Sequence, residues 1–253
     1  MARAQKIASL IAKKQWEDVA RACTELLDLD KNYAPFPVDW KVATYQNRAV
    51  AHLEMESYDL ALVDFHTALE LAPDHAKIYS GRGSLYLRKG DPDRAIADFD
   101  KALELDSKLY GAYTDRGSAY YAKGKHELAV ADYNKSLKLN PNHPEAYGGR
   151  GRAYRAMKKF DRAIVDFTQA VKLQPKRADF YHDRAVAYRQ KGDFDKALDD
   201  YGRALRLDPQ FADAYRDRGI AYQLNDQFKL AIADYDSALA LYRKKETVLE
   251  KTA

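Results

Sequence analysis

The sequence predicts an all-α solenoid of antiparallel helix pairs, and three observations carry that prediction. The chain matches itself without gaps at a period of 34 residues across Val42–Lys245. Within each period aromatic and small residues recur at helical spacing, and proline follows the second apolar stretch in most copies. With 46% hydrophobic content in 253 residues, the chain can bury a sizeable core.

The first helix of each copy is set by Tyr45, Tyr79, Tyr113, Tyr147, Tyr181 and Tyr215, which fall at one position. Four residues on, and so on the same helix face, come Ala49, Gly83, Gly117, Gly151, Ala185 and Gly219. Tyr86, Tyr120, Tyr154, Tyr188 and Tyr222 complete this helix, with His52 in the earliest copy. A Gly or polar turn comes next, at Gly90, Gly124 and Gly192 among others. The second helix carries Ala61, Ala95, Ala129, Ala163, Ala197 and Ala231, each followed four residues later by Phe65, Phe99, Tyr133, Phe167, Tyr201 or Tyr235. Small residues let two helices approach, and aromatics opposite fill the space. Pro73, Pro141, Pro175 and Pro209 then stop the second helices.

This order of aromatic, small, aromatic, then alanine, aromatic, small and proline resembles the tetratricopeptide repeat (TPR) family. The resemblance spans Val42–Lys245 and implies a right-handed superhelical solenoid whose first helices line a concave groove. It divides the chain into residues 1–41, a degenerate N-terminal repeat with a Pro/aromatic connector; six repeats at 42–75, 76–109, 110–143, 144–177, 178–211 and 212–245; and a helical extension at 246–253. Trp16-Glu17-Asp18-Val19-Ala20 echoes later second helices, and an insertion, Ala34-Pro35-Phe36-Pro37-Val38-Asp39-Trp40, offsets its register. That insertion reads as a packed connector, with an exposed docking element as the alternative.

Charge is plentiful but balanced: 42 Lys and Arg against 38 Asp and Glu leave a formal net charge of +4. The basic residues are interleaved with acids, which argues against a nucleic-acid partner. Cys23 is the only cysteine, consistent with a reducing compartment, and no apolar run is long enough to span a membrane. The basic opening segment reads as a first solenoid helix and not a targeting signal. A cytoplasmic location is expected.

One repeated feature departs from the usual pattern. Arg48, Arg82, Arg116, Arg150, Arg184 and Arg218 precede the small residue of the first helix, where an apolar residue is ordinary. Asp64, Asp98, Asp132, Asp166, Asp200 and Asp234 precede the second-helix aromatic. Helices joined by a short turn bring these positions to one height, so a ladder of structural ion pairs is expected. The six histidines occupy different repeat positions and do not converge as metal ligands do. Gly148-Gly149-Arg150-Gly151 lies inside a helix and not after a strand, so it is no phosphate loop. No catalytic constellation emerges, and no metal or cofactor is expected.

Binding specificity is expected on the outward residues of the first helices. Small side chains at Ser80, Gly81, Ser84, Gly111, Thr114, Ser118, Gly148 and Gly149 read as room for a peptide, with Tyr121 for stacking and Lys77, Arg88, Arg152 and Arg155 around it. Asp179, Asp183, Asp213 and Asp217, extended by Asp115 and Glu145, read as an acidic strip for a basic segment or, alternatively, as acids placed near helix N-termini. Asn47 and Lys77 match two positions of the family's chaperone-tail clamp, but Gly81 stands where that clamp has arginine, and Ala4 and Ala8 stand near its lysine and asparagine. The expected function is a non-catalytic scaffold binding a protein or peptide in the groove. Self-assembly into a homo-oligomer is the alternative, and RNA binding is a weaker third.

Overall fold

The computed structural model describes residues 2–32 and 35–252, with side chains described over 5–31 and 35–246. The described residues form 14 α-helices and contain no strand, an all-α repeat solenoid as expected. They divide into two compact units, residues 1–124 and 125–253.

The N-terminal unit holds α1 (Ala2–Ala12), α2 (Trp16–Asn32), α3 (Val38–Glu54), α4 (Tyr58–Leu71), α5 (Ala76–Arg88), α6 (Pro92–Leu105) and α7 (Tyr110–Ala122). The C-terminal unit holds α8 (His126–Leu139), α9 (Pro144–Ala156), α10 (Phe160–Leu173), α11 (Ala178–Lys191), α12 (Phe194–Leu207), α13 (Ala212–Leu224) and α14 (Phe228–Thr252). The tight turn after each first helix needs one residue at positive φ. Gly90, Gly124 and Gly192 supply it at no steric cost, while Glu56, Lys158 and Asp226 adopt the same left-handed conformation in the other copies. At the start of α6 the Asp91 carboxylate accepts the Arg94 N–H at 3.0 Å, and Pro92 occupies the first turn. The continuation of the last helix is observed to Thr252; Ala253 lies outside the described residues.

The core follows the sequence columns. Ala61, Ala95, Ala129, Ala163 and Ala197 are fully buried, Ala231 is 3% exposed, and Phe65, Phe99, Phe167 and Tyr201 are inaccessible. Burial contributes about 1.5–3 kcal/mol for each such ring. A Cβ added to Gly83 would meet the Phe99 ring at 2.8 Å, and one added to Gly151 would meet Phe167 at 2.7 Å, so the small residues are holes for these knobs. Helices α1 and α2 share their own core of Ile7, Val19, Cys23 and Leu26 with Ala51 of α3. The connector joins it: Phe36 packs on this cluster, its N–H donates to Asp30, and Lys41 bridges Asp30 at 2.9 Å. Ala34 lies outside the described residues.

The ion-pair ladder is present. Arg48–Asp64, Arg82–Asp98, Arg150–Asp166, Arg184–Asp200 and Arg218–Asp234 each form a two-pronged pair through Nε and Nη2, at 2.6–2.8 Å. The carboxylate bonds hold the Arg48, Arg82 and Arg218 guanidinium groups above their ordinary pKa. The remaining nitrogen reaches the preceding second helix in several copies, from Arg150 to Asn134 at 2.6 Å and from Arg184 to Thr168 at 3.1 Å. Each arginine also lies over its own tyrosine, as Arg82 does at 5.5 Å from the Tyr79 ring. Arg116 and Asp132 belong to different units; within its own, Arg116 pairs with Asp100 at 2.6 Å.

Candidate functional site

In the N-terminal unit the first helices α3, α5 and α7 bury their Ala49 and Gly83 faces and leave neighbouring positions accessible. Asn47 borders a recess of about 160 Å³ lined by Ile7, Leu26, Trp40, Ala43 and Thr44. Its walls are mainly apolar. The Thr44 hydroxyl already donates to the Trp40 carbonyl at 2.7 Å, and among the described residues the Asn47 amide has no hydrogen-bond partner. One repeat on, the exposed Lys77 borders a second recess of about 270 Å³ with Ser80, Lys108, Tyr110 and Gly111. Ala43, Lys77 and Gly111 occupy one repeat position, so both recesses open on equivalent faces of consecutive first helices. Arg88 reaches back to Glu54 at 2.6 Å, Asp115 accepts from Ser84 at 2.8 Å, and Tyr121 is half-buried.

The C-terminal unit treats the equivalent faces differently. Arg152 donates to Asp183 at 2.9 Å, and Arg155 lies 3.8 Å from the same carboxylate. Arg177 pairs with Asp179 and with Glu145 at 3.0 Å. His182 Nε2 lies 2.9 Å from Asp217, which also takes Arg216 at 3.2 Å. Arg216 and the Tyr242 hydroxyl both donate to Asp213, at 2.8 and 2.6 Å. Burial opposes the charge on Arg152, yet Asp183 outweighs it and keeps the guanidinium above its ordinary pKa. Burial likewise opposes ionisation of Asp217, but His182 and Arg216 overcome it and hold the carboxyl below the usual range.

The geometry bears on two of the expectations for this face. The four aspartates are not a field of unpaired carboxylates: each has a cationic partner, and Asp183 and Asp217 are only 9% and 7% exposed. The physical reason differs by position: neighbouring first helices bring Arg152 against Asp183 and His182 against Asp217, while Asp179 and Asp213 are held by arginines close in sequence, Arg177 and Arg216. The small-residue stretch is not open either. A Cβ on Gly149 would run into the Tyr133 ring, one on Gly148 would lie 2.7 Å from Phe180, and one on Gly81 would lie 2.8 Å from Phe65. Aromatic rings occupy the volume those glycines release. Gly111 alone among these four has nothing within 4 Å of a Cβ position.

Arg177 and His182 were not singled out as groove residues by the sequence pattern. The available signal was a spacing: Ser84–Asp115 and Arg152–Asp183 are both 31 residues apart, which marks a contact between successive first helices. Among the described residues no cluster of His, Cys, Asp and Glu is suited to a metal ion, and no helix is long and apolar enough to cross a membrane.

Family models agree with these features. Models described as TPR repeat match residues 117–154 and 185–226, and models described as tetratricopeptide repeat match 47–109, 144–177 and 167–199. No curated protein sequence matches the chain. Among solved structures, MamA is 28% identical over 65% of this chain and 96% of its own, with a TM-score of 0.59. YrrB, a TPR protein with an unusual peptide-binding site, is 24% identical over 74% of this chain and 97% of its own, with a TM-score of 0.57. A tetratricopeptide repeat protein from Parabacteroides merdae is 20% identical over 98% of this chain and 95% of its own, with a TM-score of 0.71. With the repeat columns buried in register and the models matching along them, the chain belongs to the tetratricopeptide repeat family.

Proposed function

We propose that this protein is a non-catalytic interaction scaffold that binds an extended peptide segment of a partner protein along the first-helix face of its N-terminal unit. The recess beside Asn47 carries this reading. Its volume of about 160 Å³ and its Ile7, Leu26 and Trp40 walls suit one aliphatic side chain. The Asn47 amide can donate to and accept from the partner's backbone, which fixes the segment's direction. Lys77 and Lys108 flank the next recess and suit a carboxylate further along that segment. Repeat proteins of this kind use extended surfaces built from successive repeats, which favours a linear partner.

A basic partner segment is the alternative at the Asp179 and Asp213 end, where it would have to displace Arg177 and Arg216 from their carboxylates. Residues 1–41 read as a degenerate seventh repeat that supplies Ile7 and Leu26 to the recess. A reducing compartment such as the cytoplasm suits the single cysteine, Cys23, whose thiol burial pushes up to about 12.

The test is fluorescence polarisation against a library of extended peptides that pair one aliphatic residue with a nearby carboxylate. Asn47→Ala and Lys77→Glu should each weaken the best peptide by about tenfold or more, while Arg152→Ala leaves it unchanged. Equal binding by all four proteins would reject the N-terminal face. Tight binding of a labelled single-stranded RNA that falls steeply with salt would instead point to phosphate recognition.

A further inference from the structure

The arginines on the first helices of the C-terminal unit fall into two groups. Arg150, Arg152, Arg184, Arg216 and Arg218 each donate a hydrogen bond to an aspartate. Arg155 of α9 and Arg189 of α11 do not. Arg155 lies 3.8 Å from Asp183, whose carboxylate is already taken by Arg152 at 2.9 Å. Arg189 donates through Nε to the neutral Tyr201 hydroxyl at 3.2 Å, and the carboxylate of nearby Asp217 is taken by His182 and Arg216. The two arginines occupy one repeat position on neighbouring first helices, where the other copies have Leu53, Leu87, Tyr121 and Gln223. Tyr201 joins them. It is inaccessible, and burial pushes its hydroxyl up to about 12 against the pull of Arg189 and Arg155, so the O–H keeps its proton at neutral pH. This hydroxyl accepts from Arg189 but has no acceptor for its own proton among the described residues. The locus therefore offers donors and positive charge without a matching carboxylate.

We propose that Arg155 and Arg189 form a carboxylate-binding site for an acidic side chain of a partner peptide that runs across α9 and α11. Both guanidinium groups are only partly buried, Arg155 at 23% exposure, so a ligand can reach them. A partly desolvated guanidinium without a hydrogen-bonded carboxylate is under-compensated, and a planar carboxylate matches its fork of donors. Tyr201 is a positioning residue: by accepting Nε it fixes Arg189 and leaves both terminal nitrogens of that guanidinium for the ligand. Asp183 and Asp217 stand beside the site, and their charges favour a singly charged carboxylate over a dianionic phosphate. The pair spans two successive repeats, which suits an extended segment laid across them.

Fluorescence anisotropy of the full chain with a labelled peptide of alternating Glu and Ser, and with its Gln and Ser counterpart, tests this. The Glu peptide should bind about tenfold or more tightly than the Gln peptide. Arg155→Gln and Arg189→Gln should each weaken the Glu peptide by about tenfold, with the helical circular dichroism unchanged. Tyr201→Phe keeps the ring and should weaken the same peptide by about threefold, but should add no further loss in the Arg189→Gln background, because it acts only through that arginine. Arg203→Gln, which removes an exposed arginine from α12, should leave the affinity where it is. Glu and Gln peptides that bind alike, or a loss with Arg203→Gln as large as with Arg155→Gln, overturn the proposal. Tighter binding of a labelled single-stranded RNA through the same two arginines overturns it as well. The peptide has no aliphatic residue to anchor in the recess beside Asn47, so Lys77→Glu should not alter its binding. A loss with Lys77→Glu and none with the two arginine variants would place the carboxylate on the N-terminal face and reject the Arg155 and Arg189 pair.

Discussion

The position of Asn47 recurs as Gly81 and Asp115 in the N-terminal unit and as Gly149, Asp183 and Asp217 in the C-terminal one. In the first, Asn47 borders a recess with no partner for its amide among the described residues; in the second, Asp183 and Asp217 are buried and held by Arg152, His182 and Arg216. Both units carry the same Arg–Asp ladder underneath. A repeat scaffold therefore separates two tasks. Columns that hold each helix pair together stay constant, while columns facing outward are free to become either a binding recess or further cross-links between repeats.

The comparison breaks first if the ladder is not common to both units. Asp200→Ala strands Arg184 beside a carboxylate site that is 2% exposed, and should cost about 3–5 kcal/mol by chemical denaturation. Asp98→Ala, at a site 9% exposed, should fall at the lower end of the same range. A loss confined to one unit would mean that the two are built on different principles. The next effect separates filled from open small-residue positions. Gly149→Ala drives a Cβ into the Tyr133 ring and should destabilise by about 1–3 kcal/mol. Gly111→Ala meets nothing and should stabilise by up to ~1 kcal/mol through helix propensity. Thermal melts of the two variants should therefore move in opposite directions.

The fold could be read from the sequence because its determinants repeat. The Ala61 and Phe65 columns pack within a fixed pair of helices joined by a short turn, so the same types must return every 34 residues. The ladder was readable for the same reason: each Arg–Asp pair spans 16 residues across one turn. The outward face was harder. A glycine in the sequence reads as empty volume, but whether a ring fills it depends on a neighbour elsewhere: Tyr133 for Gly149, Phe180 for Gly148. Partners of the aspartates also break the period. Arg152 shares its column with Ser84, Ser118, Val186 and Ile220, so only the offset between first helices reveals that it meets Asp183.

Within the C-terminal unit, Asp217 and Asp213 sharpen the distinction between a structural and a decorative ion pair. They lie on one helix and share Arg216, yet their side chains are 10% and 51% exposed. Asp217→Ala leaves His182 without its acceptor in a site packed by Phe211 and should cost about 1–3 kcal/mol. Because the Asp217 pKa in the folded chain lies below its ordinary 3.8, its stabilisation is complete above that value and is lost as the pH falls through the folded pKa. Asp217→Asn should accordingly lower stability at neutral pH, where that stabilisation is complete, and flatten the acid limb of the stability profile. Asp213→Asn removes a pair that water reaches from both sides, and should cost only ~0–1 kcal/mol, shrinking further as salt is added. If the two variants show equal losses and equal salt dependence, burial does not decide which aspartate holds the repeats together, and the division between cross-linking and accessible positions fails within this unit.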